Sequence, residues 1–243
     1  MVPLLVTGDS ILVFDVEHVR VLREHGIVGV LIGSLPKAPQ QNVFLGLPLQ
    51  LSIYEAIWLI QAGFAILLDG AKYSEFLAGT NSLSPAVVSL LNSVQYAVTL
   101  DTHKPEADAD LGPYTILPQS MIEKYCTPKS EFQKPAEFWH FYFAFKYLRE
   151  LQYFMMPGLR FGGIFVAYPG DPLKFHSHLI VKALKPEEEI DLLKIVTSGR
   201  LATAVKKSWL LVAEKKRNNE DEKPSMKDSP EMLAFSIEWA GFG

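Results

Sequence analysis

Cysteine is almost missing from this chain. Cys126 stands alone among 243 residues, so no internal disulfide can form and no multi-cysteine metal site can be assembled. Long apolar runs are missing too. No stretch approaches the roughly 20 apolar residues that a membrane-spanning helix needs, which predicts no membrane span. The opening MVPLLVTGDS has no basic segment ahead of its short apolar run, unlike a secretory leader. These features predict an intracellular protein. A general excess of positive charge is absent as well: 23 basic side chains face 27 acidic ones, net −4. That excludes a protein that binds nucleic acid through overall charge.

The charge is nevertheless uneven. Residues 1–134 carry 8 basic and 13 acidic side chains, whereas residues 135–243 carry 15 and 14. Between 200 and 217, Arg200, Lys206, Lys207, Lys215, Lys216 and Arg217 stand against Glu214 alone. Such a cluster reads either as a solvated edge or as a short patch that meets phosphates.

Pattern and punctuation predict an α/β chain. Two short strands, 2–7 and 11–14, flank Gly-Asp-Ser. A helix over 15–25 follows, with Asp15 as N-cap and Gly26 just past its end. Residues 27–32 read as a buried strand. Ser52 and Glu55 form a capping box that opens a helix running to Ala62, stopped by Gly63. Residues 65–68 give another strand, and 69–100 are more helical than not. Residues 101–134 are polar, hold four prolines and show little periodicity, so they predict a linker or surface excursion between two domains.

The second half opens on PAEFWHFYFAFKYLRELQ, a helix dense in aromatics with Pro135 at its first position and His140 packed in its core. Strands are expected over 160–168 and 173–184. A helix is expected over 186–198, with Pro186 at its start, Glu187 and Glu188 in its first turn and Gly199 as its cap. A strand ends the stretch 201–213, a charged loop covers 214–230, and 232–239 alternates as a last strand. This order predicts a mixed sheet.

One stretch carries chemistry. In AYPGDPLKFHSHL (167–179), Tyr168 precedes a Pro-Gly-Asp-Pro turn in which Gly170 is free to take positive φ. His176 and His178 follow, and in an extended segment they point to one face. Lys206 and Lys207 begin a later strand. Histidine is the usual proton donor or acceptor near neutral pH. Tyrosine becomes a base where a nearby ammonium lowers its pKa, and lysine can hold charge on a phosphoryl oxygen. Two proton-transfer groups and a cation suit in-line phosphoryl transfer from an internal hydroxyl, such as the 2′-hydroxyl of RNA. The residues alone do not choose between His176 and His178, or between Lys206 and Lys207. They also leave open a strand, a turn and a strand with no reaction at all.

Three segments together, FGGIFVAYPGDPLKFHSHLIV, SGRLATAVKKSWLLV and FSIEWA, resemble a catalytic subunit of the eukaryotic tRNA-splicing endonuclease, most closely the subunit that cleaves the 3′ splice site. The resemblance covers 135–243 well and 1–100 more loosely. It implies a small N-terminal α/β domain over 1–100, a linker or surface excursion over 101–134, and a C-terminal mixed-sheet α/β nuclease domain of the restriction-endonuclease-like type over 135–243. It implies that Tyr168 is the general base on the 2′-hydroxyl, His176 the general acid on the leaving 5′-oxygen, and Lys207 the transition-state cation. The products would be a 2′,3′-cyclic phosphate and a 5′-hydroxyl, with no cofactor and no metal. Arg200 and Trp239 would pinch a flipped base by cation–π stacking, reaching into the active site of the opposing catalytic subunit. The implied partners are pre-tRNA, a second catalytic subunit and two structural subunits in a heterotetramer. The implied locations are the nucleus or the cytosolic face of the mitochondrial outer membrane.

Two rival readings follow from the same residues. A non-catalytic RNA-binding or structural subunit would keep the basic patch and Trp239 without needing a proton-transfer pair. A metal-dependent nuclease would use carboxylates, for which Asp171 and the run Glu187–Glu189 are the nearest candidates.

Overall fold

The computed structural model describes residues 1–34, 45–77, 115–126, 137–215 and 224–240. The expected helical content of 78–100, Pro135 at a helix start and residues 216–223 of the charged 214–230 loop lie outside the described residues. So does most of the 101–134 excursion, apart from Thr115 to Cys126.

The chain divides into two units, Met1–Leu22 with Gly29–Thr127, and Arg23–Val28 with Pro128–Gly243. The first is built on a five-stranded sheet in the order β3-β4-β2-β1-β5. Its strands are β1 (Val2–Thr7), β2 (Ser10–Val13), β3 (Val30–Gly33), β4 (Gly46–Leu51) and β5 (Ala65–Asp69). β1 pairs antiparallel with β2 and parallel with β5. Helix α1 (Val16–Glu24) starts where Asp15 expects it to: the Asp15 carboxylate accepts the amides of Glu17 at 2.7 Å and His18 at 3.2 Å. Helix α2 (Ile53–Gln61) opens on the reciprocal Ser52–Glu55 box, and Glu55 also accepts the Gly29 amide at 3.0 Å. Helices α3 (Gly70–Leu77) and α4 (Pro118–Cys126) also belong to the unit. The Ser52 box and Gly63, at φ 78°, bound α2 as the sequence predicts.

One expectation in this unit fails. The buried strand over 27–32 is β3, shifted to 30–33 and exposed along Val30, Leu31 and Ile32. An apolar run reads as buried, but among the described residues β3 is the edge strand of its sheet, with a neighbour on one side only.

The second unit holds another five-stranded sheet, in the order β10-β9-β8-β7-β6. Its strands are β6 (Phe154–Pro157), β7 (Phe165–Tyr168), β8 (Leu179–Leu184), β9 (Ser208–Glu214) and β10 (Met232–Ile237). Only β8 and β9 run parallel; the other pairs are antiparallel. Alternation gives the sheet two apolar faces. On one, Phe165 meets Phe145 of α5 (Phe138–Glu150) edge to face at 5.8 Å between ring centres. On the other, Val166, Ile180, Trp209 and Leu211 form a buried cluster with Ala202 of α6 (Leu192–Ala204). The sheet is thus sandwiched between α5 and α6, a mixed α/β fold.

Three readings in this unit are corrected. The helix expected over 186–198 begins at Leu192 instead. Asp191 caps it by accepting the Leu193 amide at 2.9 Å, while Glu187 sits at φ 57°, outside any helix. Gly199 is consequently inside α6, not its cap, and it is buried where Ile237 and Trp239 approach the helix. His140 is largely buried, as expected, and has a polar partner that the sequence did not reveal: its Nδ1 lies 2.5 Å from Oε1 of Glu214, itself 7% exposed. Finally, the strand expected over 160–168 contains a 3-10 turn, Leu159–Phe161, ahead of β7, and β6 before it was not expected.

Candidate active site

The geometry of the site follows from strand register. Ala167 pairs with Leu179, and Leu179 pairs with Ser208, so the end of β7 and the starts of β8 and β9 form one row. Tyr168 is one residue after this row, and His178 and Lys207 are one residue before it. The backbone hydrogen bonds continue past the named strands: His178 N–H donates to Ala167 at 3.0 Å, and Ser208 N–H donates to His178 at 2.9 Å. Alternation then assigns faces. Tyr168 goes with Val166, His178 with Ile180, and Lys207 with Trp209 and Leu211. All three therefore share the α6 face, and Tyr168 packs against that cluster. Burial alternates in the same way, with His176 and His178 exposed and Ser177 between them buried.

Lys207 is directed to this end of the sheet by two contacts. Its Nζ donates to the Ser177 carbonyl at 3.1 Å and lies 5.5 Å from the centre of the Phe161 ring. The carbonyl it uses belongs to the residue between the two histidines. Lys206 has a left-handed backbone, φ 55°, and is exposed.

A cleft of about 430 Å³ opens beside Lys207, lined by His178, Thr203, Lys206, Ser208, Glu238 and Trp239. Trp239 is 37% exposed, so it is not a core residue. Of the residues expected at the site, the cleft brings Lys207 and Trp239 together with His178 and Lys206. Tyr168, His176 and Arg200 lie outside its lining. Arg200 is exposed on α6, next to Gly199, where an added Cβ would stand 4.0 Å from Cβ of Trp239. Arg200 and Trp239 thus come from one unit, the helix α6 and the residues after β10.

The turn that joins Tyr168 to the histidines is tightly specified. The Asp171 carboxylate accepts the Leu173 amide at 2.8 Å, and its carbonyl accepts the amides of Lys174 and Phe175. Arg23 forks onto both carboxylate oxygens, Nε at 3.2 Å and Nη2 at 3.1 Å. The guanidinium holds the Asp171 carboxyl below its ordinary range. Gly170 is needed here for space: a Cβ would stand 2.7 Å from the Phe175 ring. The expected positive φ is absent at this glycine. Asp171, a candidate for metal binding on sequence grounds, is engaged as the anchor of the turn.

Sequence reasoning missed several participants. Ser208 and Glu238 both lie beside quoted motifs, yet their pairing, Ser208 Oγ to Glu238 Oε1 at 2.6 Å, depends on β9 and β10 being neighbours. Phe161 opens the quoted FGGIFVAY run but has no charge to draw notice. Arg23 lies 148 residues from Asp171, and no local pattern links them.

Comparison with known proteins gives this arrangement a family. The model described as TSEN34-like, N-terminal domain matches residues 2–70, and that described as tRNA intron endonuclease, catalytic C-terminal domain matches residues 138–222. The chain is similar to the Schizosaccharomyces pombe protein named probable tRNA-splicing endonuclease subunit sen34, 34% identical over 99% of this chain and 98% of the relative. It is equally similar to tRNA-splicing endonuclease subunit SEN34 of Saccharomyces cerevisiae, 34% identical over 96% of this chain and 99% of that one. A tRNA-splicing endonuclease of Pyrobaculum islandicum is 26% identical over 88% of this chain and 91% of its own length. With both domain models matched in order and identity sustained along the full chain, the protein belongs to the Sen34 family of tRNA-splicing endonuclease subunits.

Proposed function

We propose that this chain cuts intron-containing pre-tRNA at the 3′ splice site without a metal ion. The observation that carries the reading is the shared row: Tyr168, His178 and Lys207 meet at one end of three adjacent strands, on one face, with His176 two residues before His178 in the chain. Tyr168 takes the proton of the 2′-hydroxyl before the scissile phosphate. The 2′-oxygen attacks phosphorus, the bond to the 5′-oxygen breaks, and His176 gives that oxygen its proton. The ends are a 2′,3′-cyclic phosphate and a 5′-hydroxyl. Lys207 faces the non-bridging oxygens. An ammonium has three donors, so the bond to Ser177 leaves two for the phosphoryl group. Arg200 and Trp239, both exposed, would offer two planes for stacking a base in the active site of the opposing catalytic subunit. The chain acts with the other subunits of the splicing endonuclease.

A second assignment of the acid is favoured by one observation: His178, not His176, lines the cleft with Lys207 and Trp239. Cleavage of an intron-containing pre-tRNA by the reconstituted endonuclease in EDTA, with His176→Ala and His178→Ala in parallel, separates the two. Loss of 3′ cutting with 5′ cutting kept, in His176→Ala alone, supports the assignment. The same loss in His178→Ala alone moves the acid by two residues. If both variants cut both sites, the chain is a non-catalytic subunit. Activity abolished by EDTA in the wild-type complex overturns the metal-free mechanism.

A further inference from the structure

We infer that Arg23 is a positioning residue for cleavage, holding in place the turn that carries His176. The inference rests on the catalytic reading above and adds a residue to it. The segment 169–175 joins the two proton-transfer positions, so its conformation sets the distance between base and acid. Asp171 organises that segment by three hydrogen bonds to amides, one to its carboxylate and two to its carbonyl. Arg23 holds Asp171 by a two-pronged contact on both oxygens, the geometry that fixes orientation as well as distance. Its charge also favours an ionised Asp171.

Arg23 is in turn held by the fold. It belongs to the segment Arg23–Val28 of the second unit. The guanidinium of Arg149, 5% exposed on α5, donates to the His25 carbonyl at 2.5 Å and to the Tyr153 carbonyl at 2.6 Å. Arg149 also lies against the Phe154 ring. Gly26 lets this happen. Its φ is 73°, and a Cβ there would stand 2.3 Å from Arg149. A chain of contacts therefore runs from α5 through His25 and Arg23 to Asp171 and the turn. An exposed loop held at both ends by packed elements keeps a catalytic side chain near its working position, and misplacement by about 1 Å can cost around 100-fold in rate.

The test is single-turnover cleavage of pre-tRNA by the reconstituted endonuclease containing Arg23→Met or Arg23→Lys, with His176→Ala as reference. Arg23→Met should lower the rate constant at the 3′ site about 10- to 100-fold. The half-saturating concentration should stay within about twofold, and the 5′ site should be cut at the wild-type rate. Arg23→Lys keeps one prong and the charge, and should recover part of the rate. An unchanged rate constant in Arg23→Met overturns the inference while His176→Ala still reports on the catalytic reading. A loss confined to the half-saturating concentration assigns Arg23 to RNA binding instead. Equal loss in both variants together with a lowered melting temperature reduces Arg23 to a folding role. If His176→Ala itself cuts normally, the assignment of His176 as the acid fails first.

Discussion

The two sheets share a pattern and differ in chemistry. Each has five strands and a single parallel pair, β1 with β5 in one and β8 with β9 in the other. In each, an antiparallel strand flanks the first member of that pair, β2 in one and β7 in the other. Where β8 and β9 start and β7 ends, the chain places Tyr168, the histidines and Lys207. At the corresponding end of the first sheet stand Met1, Phe14 and Phe64 beside the same pairing scheme. A strand arrangement supplies positions, and function depends on what the flanking residues put there.

The sharpest way to break this comparison is to remove the charge from the reactive end. Lys207→Met should lower the 3′ cleavage rate about 10²–10³-fold, the scale of losing one transition-state donor. Phe14→Ala, at the matching end of the first sheet, should leave the rate within about twofold. A large loss in Phe14→Ala would mean that the first sheet is not inert. Stability should separate the units next. Phe143→Ala empties a fully buried position of α5 and should cost about 3–5 kcal/mol in denaturant unfolding. Ser52→Ala opens the capping box of α2 and should cost about 1 kcal/mol with cleavage unchanged.

The smallest effect concerns pH. Arg23 holds the Asp171 carboxyl below its ordinary value of 3.8. A depressed folded-state value means that the stabilisation is complete above the unfolded value and lost as the pH falls through the folded one. Both side chains are more than a quarter exposed, so the pair contributes about 1 kcal/mol or less. Asp171→Asn keeps an oxygen for the Leu173 amide and removes the charge. It should be less stable than wild type by that amount at pH 7, and the difference should vanish as the pH falls well below 3.8. A constant difference at all pH values would show that the charge contributes nothing.

Local signals were legible where one residue acts on its near neighbours. Asp15 and Ser52 start their helices because a side-chain oxygen meets amides two or three residues away. Signals failed where the deciding partner is distant. An apolar run does not reveal that β3 is an edge strand. A glycine after an acidic helix start looks like a cap, yet Gly199 is packed against Ile237 and Trp239 from β10 and the residues after it. The partner of the packed His140, Glu214, comes from β9, 74 residues away.

The sequence by itself determined the chemical inventory: the order of the motifs, the pairs His176 with His178 and Lys206 with Lys207, the local basic cluster and the α/β alternation. Tertiary structure decided which of these face one another. Register sets Tyr168, His178 and Lys207 in one row, and Arg23 reaches Asp171 across 148 residues. The reason is physical. Periodicity and capping act over a few residues, whereas convergence depends on strand order and on side chains that meet only after the sheet has formed.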